Sequence, residues 1–186
     1  MNHLFVALPP GFETRMKILH SIDTPINDIT VSNICEKAGI SRQTFYKYFD
    51  SKYDISFWYV LFCDELTLTE IGRTQSWHDG LRGFFKLLRR EKDFYQYSAH
   101  KAYTEGADRA DRHRSCVLKE TLVDFRHLDL TEDLEFYVKA FAELFNTCVG
   151  DWFKSEMKIS PEDMARMIAN CVPRPLYEAL DIETVD

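Results

Sequence analysis

Two short helices with a glycine between them are written into residues 30–54, TVSNICEKAGISRQTFYKYFDSKYD. The first pattern opens on Thr30 and stops at Gly39; the second opens on Ser41. Threonine and serine cap helices because their hydroxyls accept amide protons that the first turn leaves unpaired, and glycine ends helices because it enters the left-handed region without strain. Val31, Ile34, Cys35 and Ala38 share the buried face of the first helix. In the second, Phe45 and Phe49 lie at i, i+4 and face inward, while Arg42, Gln43, Thr44, Lys47 and Tyr48 make most of the remaining surface polar. With Ile40 plugging the angle between them, the two form a helix-turn-helix. Such a unit suits DNA: an α-helix fits the B-DNA major groove, its N-terminal residues reach base edges, and the flanks hold phosphates.

Helical spacing continues on both sides. Glu13 to Ile22 is a short amphipathic helix ended by Asp23-Thr24-Pro25. Ser51 with Asp54 three residues on is a capping pattern that opens a long helix from Lys52 to Thr69, with Ile55, Trp58, Tyr59, Phe62 and Leu66 on its apolar stripe. The polar stretch from Gly72 to Asp79 predicts a hinge, and helices follow at about 79–90, 92–104, 109–127, 131–155 and 161–179. Thr131 caps one of these, Ser160-Pro161 opens the last, and Pro173 and Pro175 kink or stop it near Val172 before it resumes over Leu176 to Leu180. The expected fold is all-α: an N-terminal three-helix helix-turn-helix domain over residues 1–53, and a C-terminal helical bundle over residues 54–186.

Charge narrows the partners. The net charge is −7, which argues against a general polybasic coat for nucleic acid. Residues 1–60 balance six bases (Arg15, Lys17, Lys37, Arg42, Lys47, Lys52) against six acids, leaving 17 of the 23 bases and 24 of the 30 acids beyond them. DNA contact must therefore come from a local patch. The five cysteines are spread out, with no C-x-x-C, and read as reduced thiols of a cytoplasmic protein. No signal peptide or membrane span is expected. His113-Arg114-Ser115-Cys116 is at most half a metal site and has no second cluster to complete it, so neither metal nor cofactor is expected. No G-x-S-x-G, phosphate-binding glycine loop, H-E-x-x-H or Rossmann pattern points to an enzyme.

Thr30-Val31, Ile34, Ala38-Gly39-Ile40-Ser41, Thr44-Phe45-Tyr46, Tyr48-Phe49, Ser51-Lys52 and Asp54-Ile55 together resemble the DNA-binding signature of the TetR family of transcriptional regulators. The resemblance covers roughly residues 13–65. It implies a homodimer that binds a near-palindromic operator in double-stranded DNA, mostly as a repressor released by a small molecule. By position it implies that Arg42, Gln43 and Thr44, following Ser41 at the helix start, face bases. Thr30, Tyr46, Tyr48 and Lys52 then hold phosphates, with Lys47 suited to either task. Two departures stand out: nothing basic precedes Arg15, and the link Asp23 to Ile29 lacks the usual glycine, so Asn27 is expected to take any left-handed position. A narrower resemblance joins Ser41-Arg42-Gln43-Thr44-Phe45-Tyr46, Tyr53-Asp54 and Lys92-Asp93-Phe94-Tyr95 to a branch that includes regulators of dihydroxyacetone kinase genes. Some of that branch activate and respond to a protein partner.

The same resemblance implies an effector cavity in the C-terminal bundle, with Phe84, Leu88, Tyr95, His100, Tyr103, Cys116 and Phe125 as candidate lining. It also implies a four-helix dimer seam drawing on Phe141, Phe145, Val149, Trp152, Met164, Met167 and Ile168. Aromatic stripes at helical spacing serve equally as core. The alternative function is a protein-interaction co-regulator whose helix-turn-helix binds DNA weakly or not at all.

Overall fold

The computed structural model describes residues 8–182, with the backbone alone described over 98–107. Helices α1 (Phe12–His20), α2 (Val31–Ala38) and α3 (Arg42–Tyr48) make the N-terminal helix-turn-helix unit. The caps form as the spacing implies. The Thr30 hydroxyl accepts the Asn33 N–H at 3.2 Å, and Asn33 Oδ1 accepts the Thr30 N–H at 3.3 Å. Gly39 ends α2 at φ 68°, and Ser41 Oγ accepts the Thr44 N–H at 3.0 Å. Ile18, Leu19, Ile34, Phe45 and Phe49 close the interior of this unit.

Helix α1 ends at His20 rather than Ile22, because the amides of Ser21 and Ile22 turn back to the carbonyls of Ile18 and Leu19. Asn27 does not adopt the expected left-handed conformation. Among the described residues positive φ outside glycine occurs only at His127, Glu156 and Met157. Pro25 supplies the turn instead, with the Asp28 N–H donating to its carbonyl at 2.8 Å. The link is then held by Lys52 Nζ, which donates to the carbonyls of Asn27 (3.2 Å) and Ile29 (2.8 Å), and by the Tyr53 hydroxyl, which donates to Asn27 Oδ1 at 3.1 Å.

Helix α4 (Asp54–Thr67) leaves this unit and enters the rest of the molecule. It starts two residues later than expected; Asp54 Oδ2 accepts both the amide and the hydroxyl of Ser51 at 2.8 Å. The expected hinge is a tight corner rather than an open one. The amides of Arg73, Thr74 and Gln75 converge on the Glu70 carbonyl, and Ser76 already caps α5 (Trp77–Arg90). A side chain at Gly72 would meet Leu180 at 2.8 Å, so the corner is pinned to the C-terminal helix.

The sequence reading placed two helices at 92–104 and 109–127; the structure has one, α6 (Lys92–Glu120), closed by a single π turn over Thr121–Phe125. One glycine, Gly106, costs a helix only about 1 kcal/mol, too little to break one held by packing along its length. Helices α7 (Glu132–Lys154), α8 (Pro161–Ala169) and α9 (Arg174–Leu180) follow, the break between the last two falling at the expected prolines. Helix α6 packs on α4 and α7, and α5 on α4 and α8. The buried apolar residues form one cluster running from Ile18 to Leu180. No strand is found among the described residues, and no described helix is long and apolar enough to cross a membrane.

Candidate nucleic-acid interface

Helix α3 is anchored by Phe45 and Phe49, whose rings lie 5.9 Å apart and are buried. Anchoring that side turns Arg42, Gln43, Tyr46 and Lys47 outward, and all four are exposed. The Arg42 guanidinium stands 6.0 Å from the Tyr46 ring and 3.4 Å from the Ser32 hydroxyl on α2, so it lies extended across the helix-turn-helix surface. Of the nine residues that the sequence proposes for DNA contact, these four lie exposed together on one face of α3: two base readers, one phosphate contact and Lys47.

The other five do structural work as well. Thr30 and Ser41 are caps, and the half-buried Thr44 keeps its hydroxyl 2.9 Å from that of Ser41. Lys52 spends two donors on backbone carbonyls. Tyr48 is half-buried and packs so closely on Gly11 that a side chain there would meet its ring at 2.4 Å. Sequence reasoning missed the part of Arg15. Its guanidinium lies 5.3–5.7 Å from the rings of Tyr48, Phe49 and Trp58, joining α1 to the end of the reading helix and to α4. No local spacing announces that contact, because Arg15 and Trp58 come from separate helices. Chemically, an exposed Arg42 and Gln43 at a capped helix start are the pair that can bond guanine and adenine edges in bidentate fashion.

Residues 22–56 match the family described as "Bacterial regulatory proteins, tetR family", and residues 75–174 match the TetR-type "Transcriptional regulator C-terminal region". The chain belongs to the TetR family. It is accordingly a DNA-binding transcriptional regulator, and members of that class are not enzymes. Among solved structures it is similar to "Dihydroxyacetone kinase operon activator DhaS", with a TM-score of 0.60 at 18% identity over 91% of this chain and 98% of that one. This likeness is one of fold. No curated protein sequence matches the chain.

Among the described residues of this TetR-family chain, the candidate effector residues are distributed between core and surface. Phe84, Leu88 and Tyr95 are buried in the core, Tyr95 stacked on Phe153 at 4.4 Å. Cys116 is exposed on an open, charged groove of about 560 Å³ between α6 and α7, and Phe125 is exposed beneath the Arg73 guanidinium at 3.9 Å. The side chains of His100 and Tyr103 lie outside the described residues. Among the described residues a cavity of about 10 Å³, room for a single water, is bordered by Asp64, Thr69, Trp77, His113, Arg114 and Phe141.

The candidate seam residues lie mostly inside the protomer. Phe141, Phe145, Val149, Trp152, Met164 and Ile168 are buried within the protomer, and only Met167, 46% exposed, faces outward. An apolar stripe marks the buried side of a helix without saying whether its own bundle or a second copy covers it. Here the protomer covers it. Asp64 and Arg114, 1% and 3% exposed, are an ion pair inside that core, and burial pushes the Asp64 carboxyl above the usual carboxylate range in spite of the guanidinium beside it.

Proposed function

We propose that this chain is a ligand-responsive repressor that binds a near-palindromic operator as a homodimer. Residues 1–53 form the reading head and residues 54–186 the regulatory and dimerisation domain. Arg42, Gln43 and Thr44 read base edges; Thr30, Tyr46, Tyr48 and Lys52 contact phosphates, with Lys47 beside them. The observation that carries this reading is the exposed Arg42-Gln43 pair on a helix capped by Ser41 and anchored by Phe45. A bidentate arginine or glutamine contact gives about 1–3 kcal/mol of base discrimination, so two per head suffice for a defined half-site.

The dimer seam is assigned to the outward stripe of α7, Phe136, Ala140, Leu144 and Thr147. Phe136 is 66% exposed and Leu144 also open, on the helix side opposite the buried stripe. Effector response then enlarges the small cavity beside Asp64 and Arg114. A second reading, activation, draws on the fold neighbour, which is named as an operon activator.

Selection of bound sequences from random duplex DNA, run with the wild type and with Arg42→Ala/Gln43→Ala, tests the proposal. A two-fold related motif with half-site centres about 34–36 Å apart, lost in the double variant, is the expected result. A single half-site motif contradicts the dimer, and no enrichment at low salt contradicts DNA reading.

A further inference from the structure

The adjacent residues His113 and Arg114 meet the bridging helix. Asp64 and Glu65 are successive residues of α4 near its far end from the head, and Arg114 and His113 of α6 pair with them, the second pair at 3.3 Å on the rim. Arg114 does more than pair. Its Nε donates to both Asp64 oxygens at 3.3 and 3.1 Å, its Nη2 to Oδ1 at 3.3 Å, and its Nη1 to Asn146 Oδ1 on α7 at 3.4 Å. The guanidinium lies 4.7 Å from the Phe145 ring and 5.6 Å from that of Phe84. One planar group thus ties α4, α6 and α7 inside an aromatic box against α5.

Stability alone does not account for such a group. Desolvation of a buried ion pair offsets much of its attraction, and a well-packed apolar pair in the same place is commonly as stable. An apolar contact lacks direction, however, whereas a guanidinium fork on a carboxylate fixes both distance and angle. An apolar seat lets α4 slide along α6; this one holds it at one register. Asn146 extends the hold to α7, two residues from Leu144.

We infer that Asp64, Arg114 and Asn146 are positioning residues for operator binding, a lock that sets the seat of α4 and with it the separation of the two reading heads. The inference rests on the homodimeric reading proposed above. Nothing in the lock touches DNA, so it acts on the paired site and leaves the single head unaltered.

The test uses the full chain carrying Asp64→Leu with Arg114→Met, which removes the fork and keeps apolar volume. Thermal unfolding, affinity for a duplex with one half-site, and affinity for operators with half-site spacing changed by one or two base pairs are measured. Folding and half-site affinity are retained, while affinity for the best operator falls about tenfold or more and the preference for one spacing flattens. A spacing profile identical to the wild type overturns the lock. Should the double variant unfold, Arg114→Lys keeps the charge but not the fork; it flattens the profile less, and an unchanged profile again overturns the proposal. A wild type that binds one half-site as tightly as two defeats the dimeric reading itself, and the lock with it. That outcome differs from a wild-type spacing preference that the variants share.

Discussion

Gly39 and Gly11 both hold left-handed backbone, at φ 68° and 77°, yet their surroundings differ. A methyl at Gly39 meets nothing within 4 Å, so Gly39→Ala costs only the conformational strain, about 1–2 kcal/mol. At Gly11 the same methyl adds a clash with the Tyr48 ring at 2.4 Å, and the reading helix must shift to relieve it. Denaturant unfolding of the two alanine variants should place Gly11→Ala lower, and only Gly11→Ala should weaken operator binding beyond what lost stability explains. Equal effects of the two variants on both readouts would contradict the packing of Tyr48 on α1. Gly39 was legible in the sequence because the residues around it are local signals. The role of Gly11 was not, since it depends on a tyrosine 37 positions away. Arg42 and Gln43 were legible for the same reason as Gly39, whereas the engagement of Lys52 with carbonyls of the 27–29 link comes from packing between segments.

Caps were the most legible elements. Thr30, Ser41, Thr131 and Ser160 all accept the amide three residues on, as their spacing implies. In α8 the first turn adds Asp163, whose carboxyl is held below its ordinary 3.8 by the Arg166 guanidinium and then the Ser160 hydroxyl. A depressed folded value means that the stabilisation is present above pH 3.8 and is lost as pH falls through the lower folded value. Asp163→Asn should therefore unfold earlier than the wild type at neutral pH, with the gap closing below pH 3.8; chemical unfolding across that range reads it. A gap that widens on acidification would contradict the bonding seen in the first turn. Helix breaks were less legible than caps. The sequence separates helices at 92–104 and 109–127, whereas α6 runs on through Gly106, since one glycine costs a helix only about 1 kcal/mol. The apolar stripe of α7 is legible, but periodicity reports only a buried face, and the packed protomer shows what buries it.

At the scale of the whole molecule, charge and architecture divide the work. The acidic excess lies beyond residue 60, away from a head whose bases and acids balance. Non-specific attraction to the phosphate backbone should accordingly be modest, so that recognition depends on base contacts more than on general electrostatics. The fold class was readable from composition and capped helical spacing. The division of the aromatic residues between cavity lining and core filling was not, because no local pattern distinguishes the two. The direct measurement is the affinity of the full chain for its selected operator against a shuffled duplex of equal length, at about 50 and 200 mM salt. Both affinities should fall as salt rises, with the operator favoured by at least about 10³-fold at each. A ratio near one at both salts would contradict sequence reading by α3 and leave a helix-turn-helix that serves protein contacts instead.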